Sequence, residues 1–278
     1  MNVVFNRQPK NSDPQEIAIK TKLEKEILKT PLAIRIIKNT KELQAKFFKK
    51  AFSEDENSTH INQLYQKLLK DLATETNVEI SSGLENLQEI ITTKNVIIIT
   101  NHLGIIKLTK INNIEPFPLR HASILPISQR LNMSLHESAI ELPGKLSSIQ
   151  RSCGVIVVNA GGRNRTQQLI DDTRKIIDKE QSAIVMYPEG GTSGKRNNAG
   201  PYDLDVFHTG AFVVAKNLNI NILPICQYFS PDTGFKLHIL KPLQPQDINT
   251  QDLRSLANNL RLKMQTKLYF QNSLGEFK

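Results

Sequence analysis

The stretch Asn95-Val-Ile-Ile-Ile-Thr100 leads directly into Asn101-His102 and decides the fold class. A short, continuous run of β-branched and aliphatic residues is typical of a strand that is buried on both faces of a sheet. Three later runs share this character, and residues 166–178 and 210–218 between them have helical patterns. The alternation predicts an α/β fold, with a mostly parallel central sheet flanked by helices. The three later runs are Gly154-Val-Ile-Val-Val158, Ala183-Ile-Val-Met-Tyr187 and Ile220-Asn-Ile-Leu-Pro-Ile225.

The N-terminal part of the chain has a different pattern, which predicts an N-terminal helical domain over residues 1–82 before the α/β domain over 83–278. Thr30-Pro31 is a typical helix start, because Thr caps a helix well and Pro suits its first turn. Two interpretations of this helix stay open: it packs on the main domain with a solvated lysine face, or it lies on anionic lipid. The apolar stripe of this helix consists of Ile36, Ile37, Leu43, Phe47, Phe48 and Phe52. A second helical pattern follows, formed by Ile61, Leu64, Leu68, Leu69 and Leu72.

The charge of the chain is positive and unevenly distributed. The 278 residues carry a formal net charge of +9, and the first fifty hold twelve Lys/Arg against five Asp/Glu. Such a charge favours an anionic partner, which leaves a membrane surface, a phosphorylated substrate and nucleic acid open. Aromatic residues make up only 6% and Trp is absent, which argues against a base-stacking platform. We therefore expect no nucleic acid as a partner.

Cysteine content and apolar runs narrow the class of protein further. Two cysteines rule out a disulfide framework and a four-cysteine zinc site, and the histidines other than His102 lack metal-ligand spacing, so no metal is expected. No secretory signal is visible, and the longest strongly apolar run is far below the roughly 20 residues of a spanning helix. We expect a cytoplasmic protein that meets a membrane, if at all, peripherally on its inner face.

Polar side chains follow three of the predicted strands. His102 comes directly after the first strand, Glu189 follows the third at the start of a glycine-rich turn, and arginines follow the second. Ligands of such sheets bind where the strands end, so we predict that a base meets a phosphate-binding set of residues there. The turns match neither a Walker loop nor a dinucleotide fingerprint. The candidate binding residues are Arg163, Arg165, Gly190, Gly191, Thr192, Lys195 and Arg196.

Four short blocks of the sequence resemble those of a known family. Asn101-His102, residues 154–158, Tyr187-Pro188-Glu189-Gly190 and Leu223-Pro224-Ile225 fall in the order of the four blocks of the glycerolipid acyltransferases. Members of that family include glycerol-3-phosphate and 1-acylglycerol-3-phosphate acyltransferases. Residues 207–216 resemble the helix between the third and fourth blocks. The N-terminal region is similar in position to the helical domain of soluble glycerol-3-phosphate acyltransferases.

The resemblance implies an O-acyltransferase of glycerolipid type. It would move a fatty acyl group from acyl-CoA or acyl-ACP to a hydroxyl of a phosphate-bearing lipid acceptor, such as lysophosphatidic acid or glycerol 3-phosphate, with no cofactor besides this co-substrate. His102 is expected to act as the general base, and backbone N–H groups of residues 189–192 to stabilise the oxyanion. Glu189 is expected to orient the loop or the acceptor, and the cations to bind phosphate of the acceptor or donor.

The third block departs from the family pattern, because Gly191-Thr192-Ser193 replaces the usual Thr-Arg-Ser and the cations are shifted to Lys195 and Arg196. The first block departs at one position. The first block of the family places an Asp where this chain has Lys107, and that Asp orients the imidazole. Three outcomes stay open. Another acid serves, with Glu115, Asp203 and Asp205 as candidates; or Lys107 binds an anion in the substrate pocket; or the fold has lost acyl transfer and binds a lipid or an acyl-carrier partner.

The segment 118–150 lies between the first two predicted strands and is apolar without a clean period. We expect it to line a tunnel for the acyl chain. Its apolar residues are Ile124, Leu125, Ile127, Leu131, Met133 and Leu135.

Overall fold

The computed structural model describes residues 30–53, 58–102, 122–142, 144–159, 164–191, 193, 202–230 and 233–275. Seven strands in this part of the chain form one sheet: β1 Glu79–Ser82, β2 Asn95–Thr100, β3 Ser134–Ile140, β4 Ile156–Val158, β5 Ser182–Met186, β6 Asn221–Ser230 and β7 Gly234–Ile239. Their order is β1-β7-β6-β2-β5-β3-β4. All neighbouring strands run parallel except β6 and β7, which confirms the predicted mostly parallel sheet.

Helices flank this sheet, which confirms the predicted α/β class. The two helices predicted between strands are present, over Arg165–Ile177 and Gly210–Leu218. None of the described helices combines the length and the apolarity needed to cross a membrane. In chain order the described helices are α1 Pro31–Ser53, α2 Ser58–Glu75, α3 Leu84–Gln88, α4 Leu125–Arg130, α5 Lys145–Ser152, α6 Arg165–Ile177, α7 Gly210–Leu218, α8 Pro245–Thr250 and α9 Leu253–Gly275.

Helices α1 and α2 pack against each other in antiparallel orientation. Asn39 Nδ2 donates to Glu75 Oε2 over 2.7 Å, and the rings of Phe47 and Tyr65 lie 6.0 Å apart. Helix α2 also contacts α4 and α5 of the main domain, while β1 pairs with β7 in the sheet. The division at residue 82 stays a prediction.

The cations of α1 are exposed, namely Arg35, Lys38, Lys41, Lys46, Lys49 and Lys50.

The prediction that the named apolar residues of the segment 118–150 line an acyl tunnel is wrong. All of them are buried in the main hydrophobic core, in α4, in β3 or directly beside these elements. Side chains that fill the core against the sheet leave no open channel between them. The six residues are Ile124, Leu125, Ile127, Leu131, Met133 and Leu135.

The register of the central strands places the predicted site residues. Ile99 of β2 lies opposite Met186 of β5, and Thr100 lies opposite Ile225 of β6. The carboxyl ends of β2 and β5 therefore meet at one edge of the sheet, while β6 continues past Ile225 to Ser230. His102 follows β2 by two residues and Glu189 follows β5 by three, so both residues lie at this edge.

Candidate active site

A buried amide bridge fixes the chain as it enters His102. Asn101 Nδ2 donates to the backbone oxygen of Gln227 over 2.9 Å, and Asn101 Oδ1 accepts the N–H of Gln227 over 2.8 Å. The Gln227 side chain in turn donates to Thr100 Oγ1 over 2.7 Å and accepts from Ser123 Oγ over 2.6 Å. All four side chains are buried. Asn101 thus continues the pairing of β2 with β6 past the end of the strand.

His102 is joined through its backbone to the turn that follows β5. Its N–H donates to Glu189 Oε1 over 3.2 Å, and its carbonyl oxygen accepts the N–H of Ser193 over 2.9 Å. The imidazole contacts the ring of Tyr187 edge to face, with 5.2 Å between ring centroids. The side chain is 4% exposed. The base predicted by the sequence and the glycine-rich turn therefore form one structural unit.

Glu189 is fully buried and accepts three hydrogen bonds. Besides the N–H of His102, Oε1 accepts the hydroxyl of Ser193 over 2.7 Å, and Oε2 accepts the N–H of Asp205 over 2.9 Å. Burial raises the pKa of Glu189 to about 7; the hydrogen bonds from Ser193, Asp205 and His102 oppose this rise, and the nearby Asp205 charge adds to it. Because Glu189 is enclosed in this way, the structure favours the role in which Glu189 orients the loop over the role in which it contacts the acceptor.

The two glycines of the turn have different conformations and uses. Gly190 has a φ of 63°, which is the left-handed region that glycine adopts without strain, and its N–H donates to Tyr187 O over 3.0 Å. Among the described residues, no acceptor pairs with the N–H of Gly191. A Cβ added to Gly191 would meet none of the described atoms within 4 Å. Gly191 is therefore the better placed of the two to donate to a ligand.

Two of the three candidate acids lie in the described residues and differ in their surroundings. Asp203 is half-buried, and its Oδ1 accepts the hydroxyl of Tyr269 over 2.5 Å. Asp205 is buried next to Glu189, to which its own N–H donates. The structure thus brings Asp205 to the carboxyl edge with Glu189 and His102, while Asp203 faces α9.

The predicted cations are only partly described. Arg165 is exposed and is the first residue of α6. The strand before this helix, β4, is the outermost strand of the sheet and lies next to β3. The remaining residues of the predicted set, and the third candidate acid, lie outside the described residues; they are Lys107, Glu115, Arg163, Thr192, Lys195 and Arg196.

Sequence reasoning missed several residues that build this site. Ser193 and Gln227 are absent from the sequence-based predictions, which include Asp205 only as a carboxylate and not as a donor through its backbone. A sequence signal existed for Gln227, since it is the single amide side chain between apolar residues in the second half of β6. We find no comparable signal for Ser193.

A polar groove of about 790 Å³ lies elsewhere on the protein. Its walls come from α2 and from residues at the amino ends of β3 and β5, including Ser134 and Glu180. His102 and Glu189 follow the carboxyl ends of their strands, so this groove lies at the opposite edge of the sheet. It is therefore separate from the candidate active site.

A histidine and a glycine-rich turn at the carboxyl edge of a parallel sheet are typical of α/β enzymes that bind ligands at this edge. A family model described as "Acyltransferase" matches residues 80–228, which is more than half of the chain. The chain belongs to this acyltransferase family, and the resemblance seen in the four sequence blocks is confirmed.

Comparisons with individual proteins were made for the sequence and for the structure. No curated protein matches the sequence. The solved structure of the 1-acyl-sn-glycerophosphate (LPA) acyltransferase PlsC from Thermotoga maritima is similar to this chain with a TM-score of 0.48 and 12% sequence identity. The alignment covers 92% of this chain and 98% of that one.

Proposed function

We propose that the protein transfers a fatty acyl group from acyl-CoA or acyl-ACP to a hydroxyl of a phosphate-bearing lipid acceptor, such as lysophosphatidic acid or glycerol 3-phosphate. Family membership supports acyl transfer, and the four blocks that resemble glycerolipid acyltransferases support the acceptor class. The observation that carries the proposal is the double backbone link between His102 and the Glu189–Ser193 turn. This link holds a base beside N–H donors, which is the arrangement that acyl transfer requires.

In the proposed reaction, His102 removes the proton of the acceptor hydroxyl as its oxygen attacks the thioester carbonyl carbon. The oxyanion of the tetrahedral intermediate accepts the N–H of Gly191, a kind of contact worth roughly 3 kcal/mol in other acyl-transfer sites. When the intermediate collapses, the carbon–sulfur bond breaks, and the imidazolium returns the proton to the leaving thiolate. Glu189 touches no substrate in this scheme and positions the turn.

The charged residues around the site have two proposed tasks. Arg165 binds phosphate of the acceptor or donor together with the loop cations, because Arg offers paired donors and Lys a point charge. Asp205 is the candidate acid for the imidazolium, since it is buried beside Glu189 in the same unit as His102. The loop cations are Lys107, Arg163, Lys195 and Arg196.

The exposed face of α1 supports a peripheral contact with an anionic membrane, and we propose that this contact is on the inner, cytoplasmic side. Ile34 and Phe52 are 53% and 44% exposed near the two ends of the helix, and six cations lie exposed between them. Basic side chains beside exposed apolar ones are typical of helices that lie on anionic lipid. Sedimentation with vesicles that contain or lack anionic lipid tests this contact.

Lys107 favours a second candidate function. A lysine replaces the acid that accepts a hydrogen bond from the imidazole in the family, and it repels an imidazolium. In this alternative the protein is a catalytically inactive member of the family that binds a lipid or an acyl-carrier partner.

A panel of substrates decides between the two functions. The purified wild-type chain is incubated with palmitoyl-CoA or palmitoyl-ACP and with glycerol 3-phosphate or lysophosphatidic acid, and the products are identified by mass spectrometry. Ester formation with one donor and acceptor pair supports the transferase. Binding of palmitoyl-ACP or lysophosphatidic acid without any ester across the panel supports the inactive binding protein.

A further inference from the structure

Residues 202–205 bridge the C-terminal helix α9 and the active-site turn. The N–H of Leu204 donates to Gln265 Oε1 of α9 over 2.6 Å, and the next N–H along the chain, that of Asp205, donates to Glu189 Oε2 over 2.9 Å. Consecutive amides thus point in opposite directions, one to α9 and one to the site. We refer to residues 202–205 as the bridging segment.

Gln265 holds the bridging segment with both ends of its amide. While Oε1 accepts from Leu204, Nε2 donates to the backbone oxygen of Tyr202 over 2.7 Å. The Gln265 side chain is 9% exposed, so its loss would leave a buried N–H and a buried carbonyl of the bridging segment without their partners, which is destabilising.

Two tyrosines hold the bridging segment at further points. The hydroxyl of Tyr202 donates to the backbone oxygen of Phe229 over 3.1 Å and accepts the N–H of Phe229 over 3.2 Å. Tyr269 of α9 donates to Asp203 Oδ1 over 2.5 Å. The segment is therefore held by β6 and α9 on one side. These contacts fix the position of the Asp205 N–H, which donates to Glu189 on the other side.

We infer that Gln265 is a positioning residue of the active site, because it places the Asp205 amide that holds Glu189 and, through Glu189, the turn beside His102. Helix α9 follows residue 228, where the match to the acyltransferase family ends, so this role belongs to a part of the chain that the family match does not include. The inference rests on the proposed function only for its activity readout.

A positioning role differs measurably from a purely structural one. If the Asp205 amide moves away, the buried Glu189 carboxylate loses one of its three donors and ionises less readily, so its pKa rises above about 7. Among the described residues, the Asp205 carboxyl lies close enough to Glu189 to raise its pKa further, and His102 contacts Glu189 through its backbone N–H. Neither residue is changed by a substitution on α9. A purely structural role would lower stability and leave this titration where it is.

The test uses the full chain with Gln265→Met, which keeps the length of the side chain but removes both hydrogen bonds. Asn259→Leu, at an exposed position of the same helix, is the matched control. Amide chemical shifts of Asp205 and Ser193 are followed against pH. We expect a midpoint near pH 7 in the wild type and the control, and a midpoint higher by about half a unit or more in Gln265→Met.

Turnover with the active donor and acceptor pair gives the second readout. We expect kcat of Gln265→Met to fall by about 10- to 100-fold with KM nearly unchanged, as for a misplaced catalytic group. An unchanged midpoint in folded Gln265→Met, or a kcat equal to that of Asn259→Leu, overturns the inference. If Gln265→Met does not fold, Gln265→Asn keeps the amide group but shortens the side chain that reaches Leu204 and Tyr202, and a midpoint equal to that of the wild type overturns the inference. If the wild type forms no ester, the proposed function fails, while the midpoints still decide the role of Gln265.

Discussion

The backbone N–H of His102 donates to Oε1 of Glu189, and this hydrogen bond joins the ends of two neighbouring strands. His102 follows β2 and Glu189 follows β5, and the pairing of Ile99 with Met186 brings the two ends together. Because the same side chain also binds Ser193 and Asp205, one buried carboxyl group organises the base, the turn and the bridging segment. A change at Glu189 is therefore expected to affect all three.

We expect Glu189→Gln to lower kcat for acyl transfer by about 100-fold, as for a misplaced catalytic group. The Gln amide can accept the donors of His102 and Ser193 with its oxygen, but its NH₂ then faces the N–H of Asp205, so two donors oppose each other. Steady-state kinetics of the variant measure this effect. Glu141→Gln, at an exposed position, is the control and should keep wild-type kcat.

Glu189 should also give stability a pH dependence of a defined sign. Its pKa is about 7 in the folded state and about 4.5 as the ordinary value, so between these pH values the folded state binds more protons than the unfolded state. Its contribution to stability is complete below pH 4.5 and is lost as pH rises through 7. The free energy of unfolding of the wild type, relative to Glu189→Gln, should fall by up to about 3 kcal/mol over this range. Urea titrations of both proteins at pH 4.5 and 8 measure these free energies of unfolding. An increase in the stability of the wild type relative to Glu189→Gln with rising pH would contradict this prediction.

His238 should act in the opposite direction at lower pH. Burial, Lys267 and Lys236 lower the pKa of His238 to about 4, while its Nδ1 lies 2.8 Å from Ser82 Oγ. Between about pH 4 and 6.5 the unfolded state then binds more protons, so stability is lost as pH falls through this range. In thermal unfolding, His238→Phe should lose less stability than the wild type between pH 6.5 and 4.5. Parallel curves for the two proteins would show that His238 does not titrate in this way.

Asn101→Ala tests the amide bridge at the end of β2. The substitution removes both hydrogen bonds to the backbone of Gln227 in a buried place, so we expect a loss of about 3 kcal/mol in the free energy of unfolding. Chemical denaturation measures this loss. Asn62→Ala, at an exposed position of α2, should change stability by less than about 0.5 kcal/mol. Equal effects of the two substitutions would mean that the bridge does not stabilise the fold.

The central part of the fold could be predicted from sequence because its strands are buried on both faces. β2 and β5 are short apolar runs of the kind that a parallel core strand requires, whereas β3 reads Ser134-Leu-His-Glu-Ser-Ala-Ile140 and mixes polar with apolar residues. The sequence pattern therefore does not predict β3. It does not predict β1 and β7 either, since β1 has only four residues and β7 contains Lys236 and His238.

The site was predictable only to the extent that parallel strands bring their carboxyl ends together. This rule placed His102 and Glu189 at one edge, and the structure adds the hydrogen bond between them. The contact of Gln265 with Leu204 joins residues 61 positions apart and leaves no local pattern in the sequence. The apolar segment before β3 was mistaken for a tunnel because a short helix followed by a half-polar strand lacks a clean period.

The central proposal for this protein is that His102 is the base of an acyl transfer. The most direct measurement is kcat/KM for ester formation by the wild type, His102→Ala and His60→Ala, the last substitution lying on α2 away from the carboxyl edge. We expect a loss of about 10²- to 10⁴-fold for His102→Ala with an unchanged fold, and wild-type values for His60→Ala. Equal ester formation by the wild type and His102→Ala would contradict it.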